Sequence, residues 1–206
     1  MADTAKRQRH TPRQQRRGLR IGSLFTGVGG LDMAAAHLFP GAKLAWHCET
    51  DPAASTVLAH RFPGVPNLGD ITTVNWTAVA PVDVVTAGFP CQDLSAAGRR
   101  AGIGPGTRSG LWAHAVTAIA TLHPEWVLIE NVRGLLHAPL RHLEPQPKTL
   151  GDNRPQPVPR AFGAVLGDLA TLGFDAAWTV LRASDVGACH QRARVFILAQ
   201  PADRAA

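Results

Sequence analysis

Long apolar runs are missing from this sequence. No stretch approaches the ~20 residues that a bilayer-crossing helix needs, and the first residues lack the apolar centre of a secretory signal, so a cytoplasmic protein is expected. Cysteine is scarce. Cys48, Cys91 and Cys189 are the three cysteines among 206 residues. Odd in number and widely scattered, they form no disulfide framework, and no pair has metal-ligand spacing. A reducing compartment fits, and no metal site is expected. Acid is nearly absent from the beginning of the chain: residues 1–20 hold seven basic side chains against Asp3, a balance of +6, while the other 14 basic and 14 acidic residues cancel.

Residues 1–18, Gln/Arg-rich and without apolar periodicity, read as a disordered basic arm. Such an arm either neutralises phosphates, adding salt-dependent and sequence-blind affinity, or solubilises the chain. With 45% hydrophobic residues over its whole length, the chain is long enough for one domain with a substantial core, placed at 19–206. Apolar strand patterns alternate with helical ones: strands at 19–25, 43–48, 82–87, 126–129, 176–182 and 195–199, a weakly marked one near 65–68, and helices at 31–39, 53–62, 111–122 and 162–172. This alternation predicts an α/β fold, Rossmann-like, with a mostly parallel sheet and helices on both faces. Residues 137–160, with six prolines and no apolar period, read as an irregular insertion.

The polar residues gather where these strands should end, which is where open α/β sheets place their chemistry. The run Val82–Ala87 empties into Gly88-Phe89-Pro90-Cys91-Gln92-Asp93-Leu94-Ser95. Cys91, on a Pro-shaped turn past a strand, is a candidate nucleophile, with a small buried hydrophobe as the bland alternative. The next strand delivers Glu130-Asn131-Val132 to the same rim, the geometry an acid–nucleophile pair requires. After the first strand, Phe25-Thr26-Gly27-Val28-Gly29-Gly30 is a glycine turn feeding a helix N-terminus, an arrangement that cradles nucleotides. Asp32 stands where the dinucleotide fingerprint has its third glycine, which argues against NAD and a dehydrogenase. Glu49 ends the second strand, placed to accept from ribose hydroxyls. Asp70, in Gly69-Asp70-Ile71, either meets an adenine amino group or caps a turn. The glycine-rich stretch 97–106 is long for a simple connector and reads as a lid or binding loop, with Arg99, Arg100 and Arg108 suited to phosphates. Arg192 and Arg194, two apart at the start of the last strand, are expected to point the same way and hold an anion or a carboxylate.

Taken in order, these segments resemble the cytosine-C5 DNA methyltransferase family over nearly all of 21–199. The resemblance implies S-adenosylmethionine as cofactor, with Phe25 and Leu111 packing around it, Gly27 and Gly29 in its loop, Glu49 on the ribose, Asp70 on the adenine and Pro90 nearby. It implies that Cys91 adds to C6 of cytosine, that Glu130 binds N3, and that Arg192 and Arg194 orient Glu130 and contact the base carbonyl. Gln92, Ser95 and Arg108 would then face DNA, whose target base must be flipped, with the glycine-rich loop closing over it. Cys189-His190 stands where many members carry Pro-Gln. Family enzymes continue into a target-recognition domain and a final segment that helps close the cofactor site. This sequence has neither, which implies an inactive remnant, half of a split enzyme completed by a second chain, or a minimal enzyme relying on its basic arm. The close alternative is a tRNA cytosine-C5 methyltransferase of related fold, and the alternative of another class is a non-catalytic DNA- or partner-binding protein of the same fold.

Overall fold

The first strand, β1 (Arg20–Leu24), lies between β2 (Lys43–Cys48) and β3 (Val84–Ala87), parallel to both. The computed structural model describes residues 18–90, 108–138 and 160–204. Beyond β3 come β4 (Trp126–Val132), then β6 (Arg194–Pro201) and β5 (Phe174–Leu181), giving the sheet order β2-β1-β3-β4-β6-β5. β3 and β4 are parallel, whereas β6 is antiparallel to both of its neighbours. The chain leaves β1 towards β2 on one side and returns to β3 on the other. That reversal is a topological switch point, where the loops after β1 and β3 part and leave a crevice at the strand ends.

Side chains alternate between the two faces, as strand geometry requires. Ile21, Val84 and Leu128 pack with Ala35 of α1 (Gly30–Leu38) on one face. Val85, Val127 and Ile129 join a larger cluster with α3 (Trp112–Leu122) and α4 (Ala161–Thr171) on the other. The remaining helix, α2 (Pro52–Arg61), starts as its sequence dictates: Asp51 caps it, accepting from Ala54 N at 2.7 Å, and Pro52 occupies the first turn. No helix of the described residues is long and apolar enough to cross a membrane.

Two expectations change. The weak strand near 65–68 is reduced to one parallel bridge, His47 with Asn67. β4 does not stop at Ile129. Its parallel pairing with β3 ends at Ala87 with Ile129, but Glu130, Asn131 and Val132 continue the strand by pairing with Phe196, Val195 and Arg194 of β6. Glu130 therefore lies beyond the last rung of the parallel part yet is held rigidly from the antiparallel side.

Candidate active site

The loop after β1 is a tight backbone turn. Phe25, Gly27 and Gly29 all have positive φ, at 55°, 57° and 82°. Each flank is tied down. Thr26 N and Oγ1 both donate to the Cys48 carbonyl, at 3.1 and 3.2 Å, and Gly29 N donates to Thr26 O at 3.0 Å. From α2, Arg61 Nη1 donates to Val28 O at 2.5 Å. Gly29 is demanded twice over, by its φ and because a Cβ there would meet the Phe62 ring at 2.6 Å.

Glu49 holds this loop from the end of β2. Its Oε2 accepts from Gly27 N at 2.7 Å, and its Oε1 accepts from Thr50 N at 2.9 Å and Asp51 N at 2.8 Å. Oε2 retains a lone pair for a further donor. Asn67 fixes the Glu49 backbone in turn, accepting from Glu49 N at 3.1 Å and donating to Glu49 O at 3.0 Å. Asp70 does cap a turn, accepting from Thr72 N at 2.9 Å, and that backbone N–H holds its carboxyl below the usual carboxylate range. It also borders the crevice. Phe25, Glu49, Asp70, Pro90 and Leu111 line one cavity of about 330 Å³ together with Cys48, Ile71 and Gly88. This volume is at the small end of small-molecule pockets. Neither Gly27 nor Gly29 lines that cavity: Gly27 donates to Glu49, which does, whereas Gly29 lies against Phe62, which does not. The thiol of Cys48 is pushed up to about 12 by burial, then by the charges of Asp70 and Glu49, so it stays a neutral wall.

A second cavity of about 540 Å³ adjoins the first, sharing Phe25 and Gly88, and is bordered by Glu130, Arg192 and Arg194. Arg194 Nε pairs with Glu130 Oε1 at 2.8 Å. The other oxygen, Oε2, would be 3.9 Å from a Cβ placed on Gly88. The expectation for the arginines needs correcting. β6 begins at Arg194, and Arg192 precedes it with φ 22°, so the two-residue repeat of a strand does not relate them. Only Arg194 makes the ion pair with Glu130, while Arg192 is an exposed part of the cavity wall. Cys91, Gln92 and Ser95 lie outside the described residues, as does the side chain of Arg108, whose backbone opens the short 3₁₀ turn Arg108–Leu111. The chain can be followed to Pro90, one residue before Cys91.

Sequence reasoning gave Asn131 no role. It is 2% exposed; its Nδ2 donates to Phe89 O at 3.1 Å, and its Oδ1 accepts from Val132 N at 2.8 Å. The link runs from β4 to the segment that delivers Cys91. A buried amide next to a rim carboxylate was its only signal in the sequence.

The sheet order, the switch-point crevice and the glycine loop above it define a Rossmann-like α/β protein. The chain belongs to the C-5 cytosine-specific DNA methylase family, whose model matches residues 19–205. It is similar to the type II methyltransferase M2.BsuMI of Bacillus subtilis (strain 168), with 35% identity over 185 residues, 88% of this chain and 42% of that protein. It is also similar to the type II methyltransferase M.NlaIV of Neisseria lactamica, with 30% identity over 84% of this chain and 39% of that one. The chain thus spans about two fifths of the length of these curated relatives. The fold is similar to that of the S. pombe Dnmt2 methyltransferase, with a TM-score of 0.66 at 19% identity, covering 89% of this chain and 51% of that one. The family uses S-adenosylmethionine and binds DNA.

Proposed function

We propose that this chain is the catalytic part of a DNA (cytosine-5-)-methyltransferase that works through a covalent Cys91 adduct. The observation that carries the reading is the Glu130–Arg194 pair at 2.8 Å on the sheet rim beside Gly88, three residues before Cys91. Cytosine C5 is too electron-poor to take a methyl group unaided. In this reading the Cys91 thiolate forms a bond to C6 and pushes density onto C5 and towards N3. Glu130, with Oε1 held by Arg194, turns Oε2 to the base and gives N3 a hydrogen bond or proton. Arg192 meets the base carbonyl. Once C5 has taken up the methyl group, its proton passes to a base from solvent, the bond from C6 to the Cys91 sulfur breaks, and the aromatic ring is restored with the thiolate free again.

The residues fit the family's cofactor. Glu49 Oε2 has a lone pair for a ribose hydroxyl, Asp70 borders the same cavity for an adenine amino group, and Phe25, Ile71, Pro90 and Leu111 supply apolar walls. S-adenosylmethionine, when bound, supplies the electrophilic methyl group. Gln92, Ser95 and Arg108 then contact DNA, and the basic arm adds phosphate affinity that falls with salt. The partner added to it in this reading is a companion chain carrying a target-recognition part. The test is incubation with tritiated S-adenosylmethionine and DNA, alone and with such a companion. Label at cytosine C5 that disappears in Cys91→Ala is the expected result. Labelling of tRNA alone, or of nothing in any combination, would overturn it.

A further inference from the structure

Ser23, His47 and Thr86 stand on one rung of three neighbouring parallel strands, Ser23 being paired with His47 on β2 and with Thr86 on β3. Paired residues of a parallel sheet project to the same face, and this one faces α1. All three are buried, at 1%, 2% and 0% exposure. Asp32, in the first turn of α1, is 2% exposed, and its Oδ1 accepts a hydrogen bond from Thr86 Oγ1 at 2.5 Å. Its Oδ2 and the Nδ1 of His47 have no partner among the described residues. Elsewhere α1 meets the sheet through apolar side chains, Ala35 against Ile21, Val84 and Leu128.

Burying a carboxyl with one oxygen unsatisfied costs stability, whereas an apolar residue would add it. What the carboxyl adds is direction. Apolar contacts tolerate sliding; a short hydrogen bond between fixed side chains does not. The two ends of this bond lie 54 residues apart, in the two segments that make the site. Asp32 follows the Phe25–Gly30 loop by two residues. Thr86 precedes Gly88 by two and Cys91 by five.

We infer that Asp32 and Thr86 are a positioning pair that locks the helix carrying the cofactor loop to the strand delivering Cys91. The pair thereby fixes the distance between methyl donor and nucleophile. The inference rests on the proposed function for what the two segments hold, but the lock itself can be tested without it.

The test uses Thr86→Val, which removes the donor at nearly constant shape, with Thr86→Ser and Asp32→Asn as conservative variants that keep a hydroxyl donor and an acceptor oxygen. Two readouts are taken on the whole chain: amide hydrogen exchange of the 25–33 and 84–90 segments against 161–171, and the Kd of S-adenosylhomocysteine by calorimetry. In Thr86→Val, exchange is expected to quicken in the first two segments and not in the third, with binding about tenfold weaker, the effect of one lost buried hydrogen bond. The Ser and Asn variants are expected to stay within about threefold of the parent. Wild-type exchange in Thr86→Val would overturn the inference. So would Ser or Asn variants as impaired as Val, since methyl packing or charge would then be responsible. If the parent chain binds no S-adenosylhomocysteine, it is the proposed function that suffers, and the exchange comparison still decides the lock.

Discussion

The side-chain amide of Asn131 donates to the carbonyl oxygen of Phe89 at 3.1 Å, joining β4 to the two residues that lead into Cys91. Its other end accepts from Val132 N, so the amide cannot turn without losing a bond. Asp at this position is nearly isosteric but has no donor for Phe89 O. Asn131→Asp should therefore lower stability by about 1–3 kcal/mol in urea unfolding. It should also slow DNA labelling while leaving S-adenosylhomocysteine binding unchanged. Unchanged labelling would remove Asn131 from the placement of Cys91.

The Glu130–Arg194 pair makes a graded prediction. Glu130→Gln keeps the shape but removes both the acid and the charge that Arg194 binds. Labelling should fall by about 10²–10⁴-fold, the usual range for a lost acid–base group. Arg194→Ala leaves the acid present but unoriented, and a smaller loss is expected. Kinetics of both variants against one DNA substrate would rank them, and an Arg194→Ala loss larger than that of Glu130→Gln would contradict the assignment.

Glu49 carries three backbone N–H groups on two oxygens. In Glu49→Gln one of those oxygens becomes an NH₂ group that must face a donor. Calorimetry should show S-adenosylhomocysteine binding weakened by at least about tenfold, through the loop as much as through the ribose contact. An equal Kd would mean that neither matters.

His47 is buried, and burial lowers its pKa below the ordinary 6.5 despite the nearby carboxyls of Asp32 and Glu49. The folded protein thus holds this ring neutral where the unfolded chain protonates it. As pH falls from 6.5 towards the lower folded value, the unfolded state takes up the proton and stability is lost. Asp32 works in the opposite sense: burial raises its pKa, so its contribution declines as pH climbs from 3.8 through that raised value. The urea midpoint of His47→Asn should therefore depend less on pH below 6.5 than the parent's does. Parallel pH curves for the two proteins would rule the ring out.

Much of this arrangement was legible because Phe25, Glu49 and Pro90 follow apolar runs, whereas Leu111 was reached only through the family resemblance. Phe25, Glu49, Asp70, Pro90 and Leu111 are spread over 87 positions of the sequence, yet border one cavity. What joins them is the rule that parallel strands deliver their ends to one rim. What escaped is whatever depends on a partner far along the chain. β4 gains Glu130–Val132 only because β6, some 65 residues later, pairs with them. Asn67 and Arg61 look like ordinary loop and helix residues until the fold brings them to Glu49 and Val28. The two-residue repeat expected to align Arg192 with Arg194 fails for a local reason: β6 begins only at Arg194, and a positive φ turns the chain at Arg192 before it.

β6 enters the sheet last in sequence, slotted backwards between two strands made earlier. Arg194 is its first residue, so the guanidinium reaches Glu130 in the same event that closes the gap between β4 and β5. In the proposed reaction the seating of β6 and the orientation of the acid are therefore one requirement: with that slot empty there is a cradle but no guanidinium to turn Glu130.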